Sequence, residues 1–107
     1  MRNRYLVSMV MALLIGIAGC SKNPDAAKKK YLESGMKYME QQKYDSAIIQ
    51  FRKAIQIDPK YAEAQNNLGV VYEKQGKTRS ALAAYRKAVE IDPNLSEAKE
   101  NLARLDR

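Results

Sequence analysis

A chain of 107 residues, 46% apolar and 29% charged, is long enough for one small domain and no more. Its net charge of +7 comes from 19 basic residues interleaved with 12 acidic ones, which is not the segregated stripe that binds nucleic acid. With no histidine and one cysteine, Cys20, the chain lacks an intrachain disulfide, a Cys/His metal site and a histidine base for any nucleophile.

The chain opens on Met1-Arg2-Asn3-Arg4, a short basic start, and then runs uncharged from Tyr5 to Gly19. A basic start, an apolar stretch and small residues at its end have the layout of a secretory leader. As a helix those fifteen residues would measure about 22 Å, short of the ~30 Å hydrocarbon core of a bilayer. Residues 1–19 are therefore expected to be a cleaved signal peptide, with an uncleaved anchor as the alternative.

Ile17-Ala18-Gly19-Cys20 resembles the lipobox of bacterial lipoproteins: aliphatic, small, small, cysteine. The resemblance implies that the Cys20 thiol takes a lipid, that a peptidase cuts before it, and that the new N-terminus is acylated. Several acyl chains on one residue hold a membrane stably, where one chain is marginal. Cleavage would remove Arg2 and Arg4 and leave 17 basic against 12 acidic side chains, or +5. In such lipoproteins an Asp after the cysteine favours retention in the inner membrane. Ser21 is not Asp, so an exported chain on the periplasmic face of the outer membrane is expected.

Residues 20–27 read as the lipidated cysteine and a brief tether. Asn23-Pro24-Asp25 has the order of a helix start: Asn as N-cap, Pro in the first turn, an acid at the positive dipole end. Lys28-Lys29-Lys30 follows, close enough to the anchor to touch anionic head groups, or simply a solvated first turn.

"IQIDP" ends at Pro59 and "VEIDP" at Pro93, 34 residues apart. Sliding residues 28–61 over 62–95 gives twelve identities, among them Gly35/Gly69, Tyr38/Tyr72, Ala47/Ala81, Ala54/Ala88 and Asp58/Asp92. Tyr31, Ser34, Gly35 and Tyr38 recur at i, i+3, i+4, i+7, one helical face, as Ala47, Phe51 and Ala54 do on the next helix. The small residues let two helices approach and the aromatics fill the gaps. Gly76 supplies the turn inside the second unit, and Gln42 does so less comfortably in the first. Pro59 and Pro93 stop helices. Residues 96–107 align with a third first helix, with Ala98, Leu102 and Leu105 facing inward and Asn94 and Glu97 spaced for a capping box.

Period and residue pattern together resemble the tetratricopeptide repeat. The first unit offers Tyr31, Ser34-Gly35, Tyr38, Ala47, Phe51, Ala54 and Pro59 to that family's pattern. The second offers Gln65, Leu68-Gly69, Tyr72, Ala81, Tyr85, Ala88 and Pro93. The departures are Ser34 for Leu and Gln65 for a large aromatic. The resemblance implies an all-α fold, a short right-handed superhelix of two hairpins over 28–61 and 62–95 plus a capping helix over 96–107. Two and a half units fall below the ~3 that such arrays usually need, which invites a partner or self-association.

No phosphate loop is present, Ser34, Ser46 and Ser80 lack an activating base, and the carboxylates are scattered among lysines as on a solvated face. Neither catalysis nor a cofactor or metal is expected, and nucleic acid is not an expected partner. The resemblance implies a protein or peptide partner in the concave groove. The positions that map there are Lys29, Leu32, Met36 and Met39, then Glu63, Asn66, Asn67, Val70 and Glu73, then Glu97, Glu100 and Arg104. Some relatives clamp a terminal carboxylate with Lys, Asn and Arg. Of that clamp only Asn67 is matched, since Leu32, Met36 and Glu97 replace its other members. Leu32, Met36, Met39 and Val70 instead make an apolar stripe, suited to an apolar helix or peptide, with packing inside the fold or against membrane lipid as the alternative. The function expected is that of a lipid-anchored adaptor of the bacterial envelope, of the kind serving pilus, secretion or outer-membrane assembly. A homo-oligomer that fills its own groove is the alternative.

Overall fold

The computed structural model describes residues 23–107; the expected leader, Cys20 and the start of the tether lie outside the described residues. Five helices follow in order: α1 Pro24–Glu40, α2 Tyr44–Ile57, α3 Ala62–Lys74, α4 Thr78–Ile91 and α5 Ser96–Leu105, with no strand among the described residues. α1 pairs with α2 and α3 with α4 as hairpins, α2 stacks on α3 and α4 on α5, and α1, α3 and α5 touch in series. This is the expected all-α array of two hairpins and a closing helix.

α1 starts as its sequence dictates. Asn23 Oδ1 accepts from the Asp25 amide at 3.0 Å, Pro24 fills the first turn, and Asp25 meets the positive end of the helix dipole. The capping box expected at α5 does not form. Leu95 is the N-cap there, with no side-chain cap bond, and the Asn94 amide donates to Asp92 Oδ1 at 3.0 Å. The same device sits at Asp58, whose Oδ1 accepts from the Lys60 amide at 3.0 Å. The Asp of each Ile-Asp-Pro motif thus folds the turn to the next hairpin through its own side chain.

The turns inside the hairpins are closed by long backward bonds, Lys43 N to Tyr38 O at 2.9 Å and Lys77 N to Tyr72 O at 2.8 Å. Both need a left-handed residue, Gln42 at φ 60° and Gly76 at φ 76°. The hairpins close on ring-against-glycine contacts. A Cβ on Gly35 would lie 2.5 Å from Phe51 Cε1, and one on Gly69 2.6 Å from Tyr85 Cε1. Ala47, Ile48, Phe51 and Ala54 of α2 then merge with Ala64, Leu68 and Val71 of α3 into one core that also takes in Leu32. Ala98 of α5 is fully buried, and Leu102 and Leu105 are half-buried.

Candidate protein-binding groove

α1, α3 and α5 line one face, and that face has two chemically opposite halves. Between α3 and α5 lies a recess of about 370 Å³ whose walls include Val70, Glu73, Lys74, Tyr85, Glu97 and Arg104. Arg104 grips Glu73 as a fork, Nη1 to Oε2 at 2.7 Å and Nη2 to Oε1 at 2.8 Å. The hydroxyl of fully buried Tyr85 donates to Glu73 Oε1 at 2.7 Å. Asn101 Nδ2 donates to Asn66 Oδ1 at 3.0 Å, while Asn101 Oδ1 accepts from Arg104 Nη2 at 3.3 Å. The Arg104 bond, then the Tyr85 bond, hold the Glu73 carboxyl below its usual range. Burial, then its bond to Glu73, pushes the Tyr85 phenol up.

One repeat earlier, 34 residues back, four of these partners have an apolar counterpart, Leu32 for Asn66, Met39 for Glu73, Phe51 for Tyr85 and Val70 for Arg104, while Asn101 maps onto polar Asn67. The first half of the groove is therefore greasy and the second half is sewn together by its own hydrogen bonds. The buried phenol and the half-buried carboxylate would each lose hydration without the other, and the exposed guanidinium completes the set by forking onto the carboxylate.

This arrangement divides the expected binding residues. Met36 is exposed, Val70 is half-buried, and Lys29, Glu63, Glu97 and Glu100 are exposed. Leu32, expected on an open stripe, is 6% exposed and belongs to the core, because that face of α1 meets the second repeat. Met39 is half-buried against the same core. Asn66 is 1% exposed and bonded to Asn101, and Asn67 is 8% exposed, so neither presents its side chain to a partner. Glu73 and Arg104 are occupied with each other. Tyr85 and Asn101 belong to this network and escaped the sequence reading. The signal was there in the 34-residue comparison, where Phe51 becomes Tyr85 at the same step as Met39 becomes Glu73.

At the start of α1, Lys28 Nζ lies 2.6 Å from Asp58 Oδ2 and 4.8 Å from the centre of the Tyr61 ring. That bond ties the start of α1 to the turn between the hairpins, and it raises the Lys28 pKa and lowers that of Asp58. Among the described residues, no cluster of three or more His, Cys, Asp or Glu side chains is placed to hold a metal ion.

The chain is 32% identical over 75 residues to the type IV pilus assembly protein PilF of Pseudomonas aeruginosa, covering 60% of this chain and 30% of that protein. It thus spans less than a third of that relative's length. Among solved structures it superposes on MamA with a TM-score of 0.71 at 26% identity, covering 74% of this chain and 46% of the other. It superposes on the Arabidopsis OM64 TPR domain with a TM-score of 0.72 at 26% identity, covering 77% and 68%. The TPR2B domain of yeast Sti1, in its pHsp70 complex, matches in fold with a TM-score of 0.72 at 22% identity, covering 76% and 65%. A TPR repeat model matches residues 35–76 and a tetratricopeptide repeat model residues 62–95, so that together they span more than half of the chain. The chain thus carries tetratricopeptide repeats joined in one array, a repeat whose general role is protein–protein interaction.

Proposed function

We propose that this chain is a lipid-anchored adaptor of the bacterial envelope, held by Cys20 and binding a partner protein through the first half of its groove. The observation that carries the partner reading is the contrast between the two halves. The second half satisfies its polar groups internally, whereas the first leaves Met36 38% exposed, with Val70 beside it one repeat on. An exposed methionine at a groove position suits an apolar helix that must be accommodated rather than matched atom for atom. Exposed Glu63, Glu97 and Glu100 sit at groove positions farther along and favour a partner whose apolar face is flanked by basic residues.

The anchor reading rests on Ile17-Ala18-Gly19-Cys20 behind a basic start and an apolar run. The likeness to a pilus assembly protein supports a place in pilus-related assembly, and Ser21 supports the periplasmic face of the outer membrane. Cys20→Ser tests the anchor directly. The variant should fail to incorporate labelled fatty acid and should accumulate at precursor mass. Labelling that persists in it would disprove lipidation at this residue. For the groove, Met36→Glu should abolish partner binding while circular dichroism stays helical, because the side chain is exposed.

A further inference from the structure

Along the array each first helix packs its leading edge on the helix before it. In α3 that edge carries Ala64 and Leu68, 0% and 7% exposed in the seam with α2. In α1 no described helix covers the same edge, and the equivalent positions are Lys30 and Ser34. They line a recess of about 430 Å³ with Ala26, Ala27, Tyr31 and Gln50. No acidic residue lines it. Lys29 next to it is exposed, and Lys53 Nζ stands 5.5 Å from the centre of the Tyr31 ring. Lys28 is different, being paired with Asp58 and Asp25.

Lys30 and Ser34 spoil this edge for a dry helix contact. Small apolar groups, an aromatic ring and flanking lysines instead match the head-group layer, where the ring sits at the boundary and lysines extend toward phosphates. Covalent length allows the edge to reach that layer. Three residue steps separate Cys20 from Asn23, a reach of at most about 10 Å. Attraction to anionic head groups decays over ~8 Å at physiological salt. If α1 lies along the bilayer, Lys29 and Lys30 stay within that layer.

We propose that the edge formed by α1 and α2 seats on anionic phospholipid head groups, with Ala26, Ala27 and Tyr31 at the boundary and Lys29, Lys30 and Lys53 as the cations. The array then projects from the membrane with α5 outermost. This rests on the lipid anchor at Cys20 and adds an orientation to it.

The test uses the acylated full chain in vesicles of phosphatidylcholine, alone or mixed with phosphatidylglycerol. A fluorophore is placed on Ala26→Cys or Ala103→Cys and quenched by lipids carrying a nitroxide on the head group. With anionic lipid present, position 26 should be strongly quenched and position 103 hardly at all. The double variant Lys29→Glu/Lys30→Glu should lose most of the quenching at 26, falling to the level seen in pure phosphatidylcholine. Quenching at 26 that is indifferent to the lysines or to lipid charge overturns the seating. So does protection of position 26 that vanishes on dilution, which would mean that a second copy covers the edge. Intact mass reads the anchor separately: an acylated chain that fails the quenching test refutes the seating alone, and a chain without acyl mass refutes both.

Discussion

Gln42 and Gly76 occupy the same turn position one repeat apart and adopt the same left-handed backbone. Glutamine costs about 1–2 kcal/mol there, while glycine's extra freedom in the unfolded chain gives back about 0.5–1 kcal/mol. Gln42→Gly should therefore stabilise the fold by roughly 0.5–1 kcal/mol and raise the melting temperature by roughly 2–6 °C for a domain of this size. A thermal melt that moves down would show that the turn relaxes in some other way. Gly69 is the opposite case. Its hypothetical Cβ lies 2.6 and 2.7 Å from the Tyr85 ring, which is fully buried and pinned through its hydroxyl to Glu73. The ring cannot swing aside. Gly69→Leu should cost about 3 kcal/mol or more, at the upper end of overpacking, and abolish cooperative melting of the second hairpin. An unchanged melt would contradict the pairing of α3 with α4.

At the scale of the element, α5 has only ten residues and too few turns to be helical alone. Buried Ala98 and the grip of Arg104 on Glu73 give it a place to fold. An exposed ion pair contributes little, but this one is forked and shares its carboxylate with a buried phenol. Because Glu73 titrates below its ordinary 4.5 when folded, the stability it contributes is complete at neutral pH. It begins to decline as the pH drops below that value and is lost as the pH passes through the lower, folded one. Urea midpoints measured down to about pH 3 should show the gap between wild type and Glu73→Gln closing with acidification. A gap that stays constant would mean that Glu73 acts by packing alone. Asp58, also lowered, keeps its own acid slope in both proteins and cancels from the comparison. The helices themselves were legible from Gly35, Gly69, the Asp-Pro stops and the 34-residue period, since those residues enforce local geometry. Their faces were less so. Leu32, Met36 and Met39 share a stripe by spacing, yet a first helix touches both its hairpin partner and the next repeat, and spacing does not say which neighbour a residue meets. Asn94 and Glu97 had the interval of a capping box, but Asp92 folded the turn first.

At the scale of the whole molecule, two repeats and a closing helix stack their seams in series and leave two unlike ends. The first is the lysine-bearing edge of α1, and the last is the charged outer side of α5. Such an array is only as stable as its few seams, so a partner that spans the first and second repeats adds a seam and raises stability by linkage. On the function proposed above, that partner lands around Met36 and Val70 in the first half of the groove. Site-specific photocrosslinking in cells tests this most directly, with the reactive side chain at position 36 or at exposed Ala83 on α4. A discrete adduct with another protein from position 36, weakened by Val70→Glu and absent from position 83, is the predicted result. The same adduct from both positions would contradict a groove-bound partner, and an adduct consisting only of two copies of this chain would show that the groove is filled by the protein itself.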